Sequence, residues 1–258
     1  MVSAAALQLV DAGLLTLDGP LPSIGGLPDS LTGSLTLRRL LAHATGLVDY
    51  RTVDGFDPEA TSDPFEAVID AYDVSDTSVR TVDYSSTNYF VVGMLIEQVT
   101  GNTLAEELTD RFFAPLGMHD TELVDNTRSG YVGFASGGVV STLEDLGTWY
   151  DSLFRQGIVL SAPMLDEMIW GGAEFSDGSG LGAWRHCPCA TATAEDPTPW
   201  LYIFHDGGDV RIMYHPDADV VMVARFSKPL YLTPPLAGDI DGFVLQVLED
   251  VSPNPEGE

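Results

Sequence analysis

The sequence predicts an α/β fold of the α+β type, in which an antiparallel sheet flanked by helices is interrupted by an all-helical lobe. Three observations lead to this expectation. A helical pattern opens the chain, capping signals mark further helices through its middle, and four aromatic and β-branched segments follow Gly171. We expect one domain over residues 1–258. Its expected parts are an opening helix (1–13), a mostly helical lobe (14–170), sheet strands with a C-terminal helix (171–250) and a polar tail (251–258).

The opening helix is predicted from apolar residues that recur at spacings of three and four. Ala4, Leu7, Val10 and Leu14 form the expected buried face, and Gly13 is the expected stop. The Gly- and Pro-rich residues 17–33 that follow are typical of an irregular connection.

Three further helices are predicted from their caps. Thr36 is the expected N-cap of a short helix that runs through Leu41. Two Ser/Thr-x-x-Glu capping boxes mark the starts of the other two helices that are predicted from caps. They are Thr103 with Glu106, for a helix that ends before Pro115, and Ser141 with Glu144, for a helix that reaches Gln156. A further helix, over residues 88–100, is predicted from its apolar face.

Four strands are predicted at residues 181–187, 199–205, 209–215 and 220–226, with a turn at 216–219 between the last two. A final helix is expected at residues 240–248. With 45% hydrophobic residues, the chain can bury a sizeable core.

The charge balance excludes some functions. Eleven Lys and Arg against 39 Asp and Glu give a formal net charge of −28. Such a chain repels nucleic acid and anionic lipid headgroups, so we expect neither as a partner. No apolar run approaches the roughly 18 residues that a membrane span requires. Whether the acidity serves solubility or reflects a high-salt source stays open.

The cysteines and acidic loops give weak signals for a metal. His186, Cys187 and Cys189 offer three soft ligands, but a structural zinc site usually needs four ligands from two separated pairs. We expect two free thiols, with a strained Cys-x-Cys disulfide as the alternative. The Asp-rich residues 51–63 do not have the spacing of a calcium loop.

Two segments are rich in side chains of the types that act in catalysis. Residues 83–89 are polar and hydroxyl-rich and stand where a helix begins. His205 ends a strand and is followed by Asp206, Gly207 and Gly208. Taken singly, each segment is also compatible with ordinary structural roles, such as helix caps and a strand-end histidine.

Six segments, taken in order, resemble those of serine hydrolases of the class C β-lactamase and D-alanyl-D-alanine carboxypeptidase family, which includes esterases and penicillin-binding-protein-like members. The segments are AAALQLVDAGLLTLD, LRRLLAHATGLVDY, DYSSTNYFVVGMLIEQVTGNTLAEEL, FFAPLGMHDTEL, GGVVSTLEDLGTWYDSL and HDGGDVRIMYHPDADVVMVARF. The resemblance implies a β-lactamase/transpeptidase-like fold. It also implies acyl-enzyme chemistry on an ester, amide or D-amino-acid peptide, with a small-molecule or peptide substrate and no cofactor.

The resemblance assigns roles to individual residues. Tyr84 would be the general acid/base, and His205 would orient Tyr84 or contact a substrate carboxylate. Ser86 stands where the family usually has Asn, so the substrate contact there is altered. Gly207 would let the strand approach the substrate, and the Gly208 N–H would be an oxyanion donor. His43, in the second segment, is interpreted as packing around the site.

The family's Ser-x-x-Lys motif is missing from the chain. By register, its lysine would lie about two positions before Met1 and its serine about five. The single lysine, Lys228, follows Arg225 at that spacing and not a serine. The family's first strands are missing as well, so we expect the isolated chain to expose a sheet edge and to be prone to aggregation.

Two hypotheses follow. In the first, the complete protein is a serine hydrolase, and the chain as given is inactive because its reactive pair lies upstream. In the second, the chain is a catalytically dead relative that binds peptidoglycan-like peptides or a protein partner. Localisation stays open: the protein is secreted or periplasmic if a signal lies upstream of Met1, and cytoplasmic otherwise. The oligomeric state stays open.

Overall fold

Helices and a four-stranded antiparallel sheet make up the part of the chain that the computed structural model describes, residues 1–54, 64–124, 133–176, 178–186, 202–207, 210–216 and 218–226. The helices are α1 (Val2–Asp11), α2 (Asp29–Ser34), α3 (Leu37–Leu41), α4 (Pro64–Asp73), α5 (Ser86–Thr100), α6 (Leu104–Leu108), α7 (Ala114–Leu116), α8 (Leu143–Tyr150) and α9 (Ala162–Trp170). The strands are β1 (Glu122–Leu123), β2 (Val139–Val140), β3 (Trp184–His186), β4 (Tyr202–Gly207), β5 (Val210–His215) and β6 (Val220–Arg225).

Helix α1 is a central element and is buried on nearly all sides. It packs against α5, α6 and α9, and its alanines and leucines, such as Ala4 and Leu7, are fully buried. The predicted single face was wrong at its far end, because α1 ends at Asp11 and the side chain of Leu14 is 59% exposed. Gly13 adopts a φ of 72° and ends the helix as predicted.

Two of the three predicted caps are confirmed. The Thr36 side chain accepts a hydrogen bond from the Arg39 N–H at the start of α3. Both bonds of the Thr103 and Glu106 capping box are present at the start of α6. The third was wrong by one residue, because Thr142 accepts from the Asp145 N–H and is the N-cap of α8.

Two helix boundaries differ from the prediction. Residues 29–34, predicted to be irregular, form the short helix α2. The helix expected to end before Pro115 continues through a π turn, Thr109–Phe113, into α7. Proline is tolerated there because it lies in the first turn of α7. The helix ends at Gly117, whose φ is 71°.

The sheet is an antiparallel meander in the order β3, β4, β5, β6, which confirms the four predicted strands. His205 pairs with Ile212, and Gly207 pairs with Val210 at the end of β4. Helix α8 packs against β5 and β6, so the sheet joins the helical core on that side. Cys187, Cys189 and Gly208, together with the predicted helix at 240–248 and the tail at 251–258, lie outside the described residues.

Candidate active site

The first turn of α5 is held by residues 43–50, which we call the cradle segment. The Thr87 hydroxyl donates to the Val48 carbonyl (2.7 Å) and accepts from the Tyr50 N–H (2.9 Å). The Ser86 N–H donates to the Asp49 carboxylate (2.9 Å). Because these bonds join residues almost 40 positions apart, the cradle segment fixes the place where α5 begins.

The cradle segment is anchored in turn by the buried side chain of Arg39. Its guanidinium donates to five backbone carbonyls, those of Ser34, Ala44, Thr45, Thr77 and Val79. Burial, with a contribution from Arg80, lowers the pKa of Arg39 to about 10. A group with that pKa is still charged at neutral pH, so Arg39 ties two loops together through charge-assisted hydrogen bonds.

His43 lies at the centre of the contacts below Tyr84. Its Nδ1 is 3.1 Å from the Ser85 carbonyl oxygen, 3.3 Å from the Ser85 backbone nitrogen and 3.3 Å from Asn88 Nδ2. The His43 carbonyl accepts a hydrogen bond from the Asp83 N–H (2.9 Å). His43 therefore contacts the backbone on both sides of Tyr84.

Four aromatic rings meet at this point, and we call His43, Tyr84, Tyr89 and Trp184 the aromatic cluster. The His43 ring stacks on Tyr84, with 4.4 Å between ring centroids, and on Tyr89, at 5.0 Å. Trp184 lies parallel to the His43 ring at 6.5 Å. Tyr84 is the outermost member at 56% exposure, whereas His43 is buried. The Tyr84 phenol is therefore presented to solvent on a supported ring.

Tyr89 is the structural tyrosine of the cluster. Burial raises the pKa of Tyr89, and the neighbouring Tyr84 adds to the effect. Its hydroxyl donates to the Leu41 carbonyl (3.2 Å). The Tyr89 hydroxyl is buried and hydrogen-bonded to the backbone, whereas Tyr84 is exposed, so Tyr84 is the better placed of the two to meet a substrate.

Asp49 supplies a fixed negative charge at the start of α5. Burial of its carboxyl opposes ionisation, but hydrogen bonds from the Arg51 side chain and from the backbone N–H groups of Ser86 and Arg51 outweigh it and lower the pKa of Asp49 to about 2. A carboxylate at a helix N-terminus is also favoured by the helix dipole. Asp49 thus stabilises the turn that carries Tyr84.

The start of α1 reaches the same region. The Ser3 hydroxyl donates to the Leu181 carbonyl. Gly182 has a φ of 97°, and a side chain there would meet Ser3 and would come within 2.9 Å of the Tyr89 hydroxyl. The first turn of α1, the segment before β3 and the aromatic cluster therefore lie together.

The structure places the predicted site residues on two elements. Tyr84 and Ser86 flank the N-cap residue Ser85 of α5, and Ser86 is 2% exposed. His205 and Gly207 lie on β4. The link between the elements is Trp184, which pairs with Phe204, the residue before His205, and stacks on His43. Gly208, the expected oxyanion donor, lies outside the described residues.

Ser85 stands beside Tyr84, but no base contacts its hydroxyl within the described part of the chain. Its hydroxyl is buried and has no hydrogen-bond partner among the described residues. A serine needs an adjacent general base to become a good nucleophile. Ser85 is therefore no substitute for the missing serine of the family motif.

The described part of the chain shows neither a metal-binding cluster nor a membrane-spanning helix. Among these residues, no group of three or more His, Cys, Asp or Glu side chains is arranged to hold a metal ion. None of the described helices has both the length and the apolar character that a bilayer crossing requires.

Comparison with known proteins identifies the family. The sequence profile described as Beta-lactamase matches residues 1–230. The chain belongs to the beta-lactamase family. A curated relative of this family member, "Penicillin-binding protein 4" of Amycolatopsis lactamdurans, is 33% identical over 121 residues. That match spans 45% of this chain and only 31% of the relative's length.

Solved structures show the same fold at low sequence identity. The beta-lactamase family chain aligns with a penicillin-binding protein from Bacillus halodurans at a TM-score of 0.70 and 18% identity, which covers 94% of this chain and 82% of the other. It aligns with a D-amino acid amidase from Ochrobactrum anthropi SV3 at a TM-score of 0.69 and 20% identity, which covers 96% and 82%. The expected β-lactamase/transpeptidase-like fold is confirmed.

Sequence reasoning missed the contribution of the cradle segment. His43 was interpreted as packing only, and Asp49 was counted among no site residues. The histidine precedes Ser85 by 42 positions, so no local spacing could reveal the contact. The signal that was present is that His43 and Asp49 fall in a segment already matched to the family.

Proposed function

We propose that this protein is a serine hydrolase that transfers an acyl group from an ester, an amide or a D-amino-acid peptide to water through an acyl-enzyme. The observation that carries the proposal is the placement of Tyr84. Its exposed phenol is held on a buried histidine at the start of a helix, and that histidine also stacks on Tyr89, which lies near Ser3 in the first turn of α1. The family's Ser-x-x-Lys motif directly precedes that turn.

The proposed chemistry has two steps. The Oγ of the nucleophilic serine attacks the substrate carbonyl while Tyr84, as a phenolate favoured by the cationic motif lysine, takes up the hydroxyl proton and delivers it to the leaving group. Water then attacks the acyl-enzyme, with Tyr84 accepting its proton and returning it to the serine. The Gly208 N–H would stabilise the oxyanion, with Gly207 at the substrate-facing edge of β4 and His205 beside Tyr84. Ser86, which is 2% exposed, would support the turn below Tyr84 and would not itself contact the substrate.

The relatives narrow the substrate class. The amidase is named for D-amino acid amides, and the other two relatives are named as penicillin-binding proteins. All three names are consistent with acyl transfer from a carbonyl next to a D-configured centre. The acidic character of the chain, at −28, favours substrates that do not depend on a strong anionic group.

The decisive experiment is to read the coding sequence upstream of Met1 and to express the extended protein beside the chain. We expect an in-frame Ser-x-x-Lys that ends about two codons before Met1. A fluorescent penicillin or a fluorophosphonate should label the extended protein at that serine and should leave the chain itself unlabelled.

The matched variants are Tyr84→Phe and, as the control, Tyr72→Phe on α4. Loss of the phenol should reduce kcat for ester and D-amino acid amide hydrolysis about 10²- to 10⁴-fold, whereas Tyr72→Phe should change it little. Upstream sequence without the motif, or labelling of Ser85 in the chain, would overturn the proposal. The first result would favour the catalytically dead relative that binds peptidoglycan-like peptides or a protein partner.

A further inference from the structure

His43 has a left-handed backbone conformation. Its φ is 55°, in the left-handed region that residues other than glycine rarely adopt. Such a conformation persists only where the surroundings hold it in place. Packing alone does not require this conformation, because an apolar side chain in an unstrained loop could fill the same space.

Three contacts of His43 are made with Tyr84 and its two chain neighbours. Its carbonyl binds the N–H of Asp83, the residue before Tyr84, and its Nδ1 lies 3.3 Å from the nitrogen of Ser85, the residue after it. Its ring lies 4.4 Å below the Tyr84 ring, with an interplanar angle of 28°. One residue thus fixes the backbone on both sides of Tyr84 and one face of its ring.

The remaining contacts of His43 keep its own ring from moving. Asn88 Nδ2 is 3.3 Å from His43 Nδ1, and the Asn88 Oδ1 accepts a hydrogen bond from the Thr45 hydroxyl (2.5 Å). On the sides away from Tyr84, the ring meets Tyr89 and Trp184. His43 is therefore a rigid support, whereas the Tyr84 ring is 56% exposed and has few constraints of its own.

We propose that His43 is a positioning residue that holds the Tyr84 phenol in the orientation required for proton transfer. The role of His43 in turnover rests on the function proposed above. The orientation of the Tyr84 ring by His43 can be measured whether or not the protein is active.

Two variants separate the effect of the His43 ring from the effect of its hydrogen bonds. His43→Asn keeps a polar atom near the position of Nδ1 and tolerates the positive φ, but removes the ring. His43→Phe keeps a ring below Tyr84 and removes the hydrogen bonds. His119→Asn, at an exposed position, is the matched control.

The first measurement uses the chain as it is, labelled with 3-fluorotyrosine and observed by ¹⁹F NMR, with the Tyr84 signal assigned from Tyr84→Phe. We expect that signal to move toward the position of free fluorotyrosine in both His43 variants, most strongly in His43→Asn. The Tyr72 signal should stay in place, and His119→Asn should move neither. An unchanged Tyr84 signal in every His43 variant that folds would overturn the proposal, and either variant suffices if the other does not fold.

The second measurement uses the extended protein and gives kcat per labelled active site. Misplacement of the phenol should lower kcat about tenfold to a hundredfold in His43→Asn, while KM changes less than about threefold. A purely structural role would lower the number of active sites and leave kcat per site unchanged, which would also overturn the proposal. If the extended protein has no activity at all, the proposed function fails and the ¹⁹F result alone decides the role of His43.

Discussion

At the residue scale, the candidate site depends on side chains that are fixed by hydrogen bonds between distant segments. Thr87, Asn88 and the Ser86 N–H are each bound by the cradle segment. Caps such as Thr36 and Thr103 could be predicted because donor and acceptor lie within one turn. His43 and Asp49 could not, because their partners are about 40 residues away and no spacing rule connects them.

Asp49 gives a prediction for pH dependence. Its folded-state pKa of about 2 lies below the value of about 4 that an unfolded chain has. Its contribution to the free energy of unfolding is therefore complete above about pH 5 and is lost as the pH falls toward 2. We expect Asp49→Asn to lower the free energy of unfolding by roughly 1–2 kcal/mol at pH 7, and the difference from the parent chain to shrink steadily below pH 4.

Urea denaturation of both proteins between pH 2 and pH 7 measures this difference. The exposed Asp54→Asn serves as the control and should change the free energy of unfolding by less than about 0.5 kcal/mol. A difference between Asp49→Asn and the parent that stays constant over the whole pH range would contradict the assigned cause.

At the scale of elements, α5 is fixed by close contact as well as by its ends. A side chain at Gly93, in the middle of α5, would meet Ala135 and would lie 2.7 Å from the Phe134 ring. Phe134 itself has a φ of 35°, so the turn at Phe134–Ser136 is already strained and has little room to move. The helical pattern of residues 88–100 predicted α5, but it could not show that Gly93 serves a close approach.

We therefore expect Gly93→Ala to destabilise the protein despite the higher helix propensity of alanine. The cost of the overpacked contact should be about 1–3 kcal/mol in the free energy of unfolding. Gly33→Ala on α2 is the matched control, because no atom lies within 4 Å of its Cβ position. It should be neutral or should stabilise by up to about 1 kcal/mol. Equal changes in the free energy of unfolding for the two substitutions would show that helix propensity, and not the close contact at Gly93, determines the effect.

At the scale of the whole molecule, the dominant physical property is the net charge of −28. Self-repulsion at this charge opposes the compact state, and salt screens it over a Debye length that falls from about 30 Å at 0.01 M to about 3 Å at 1 M. The charge count alone predicts this behaviour, because it does not depend on which residues are in contact.

The expected result is a melting temperature that rises by several degrees between 0.01 M and 1 M NaCl. A neutral osmolyte at the same osmolality is the control and should have a smaller effect, because it does not screen charge. A melting temperature that falls with salt would mean that ion pairs such as those of Arg38 with Asp18 and Glu167 outweigh the repulsion.

The sequence by itself determined the class of fold, the four strands, several helix ends and the family, because those depend on local periodicity, on caps and on segments matched in order. It gave no bounds for α2, α4 and α9. The tertiary structure decided which residues meet. It brought His43 and Asp49 to the start of α5, enclosed α1 on nearly all sides and brought Trp184, the neighbour of β4, onto the His43 ring. These contacts join segments from about 40 to about 160 residues apart, and side-chain packing at that distance leaves no periodic signal in a single sequence.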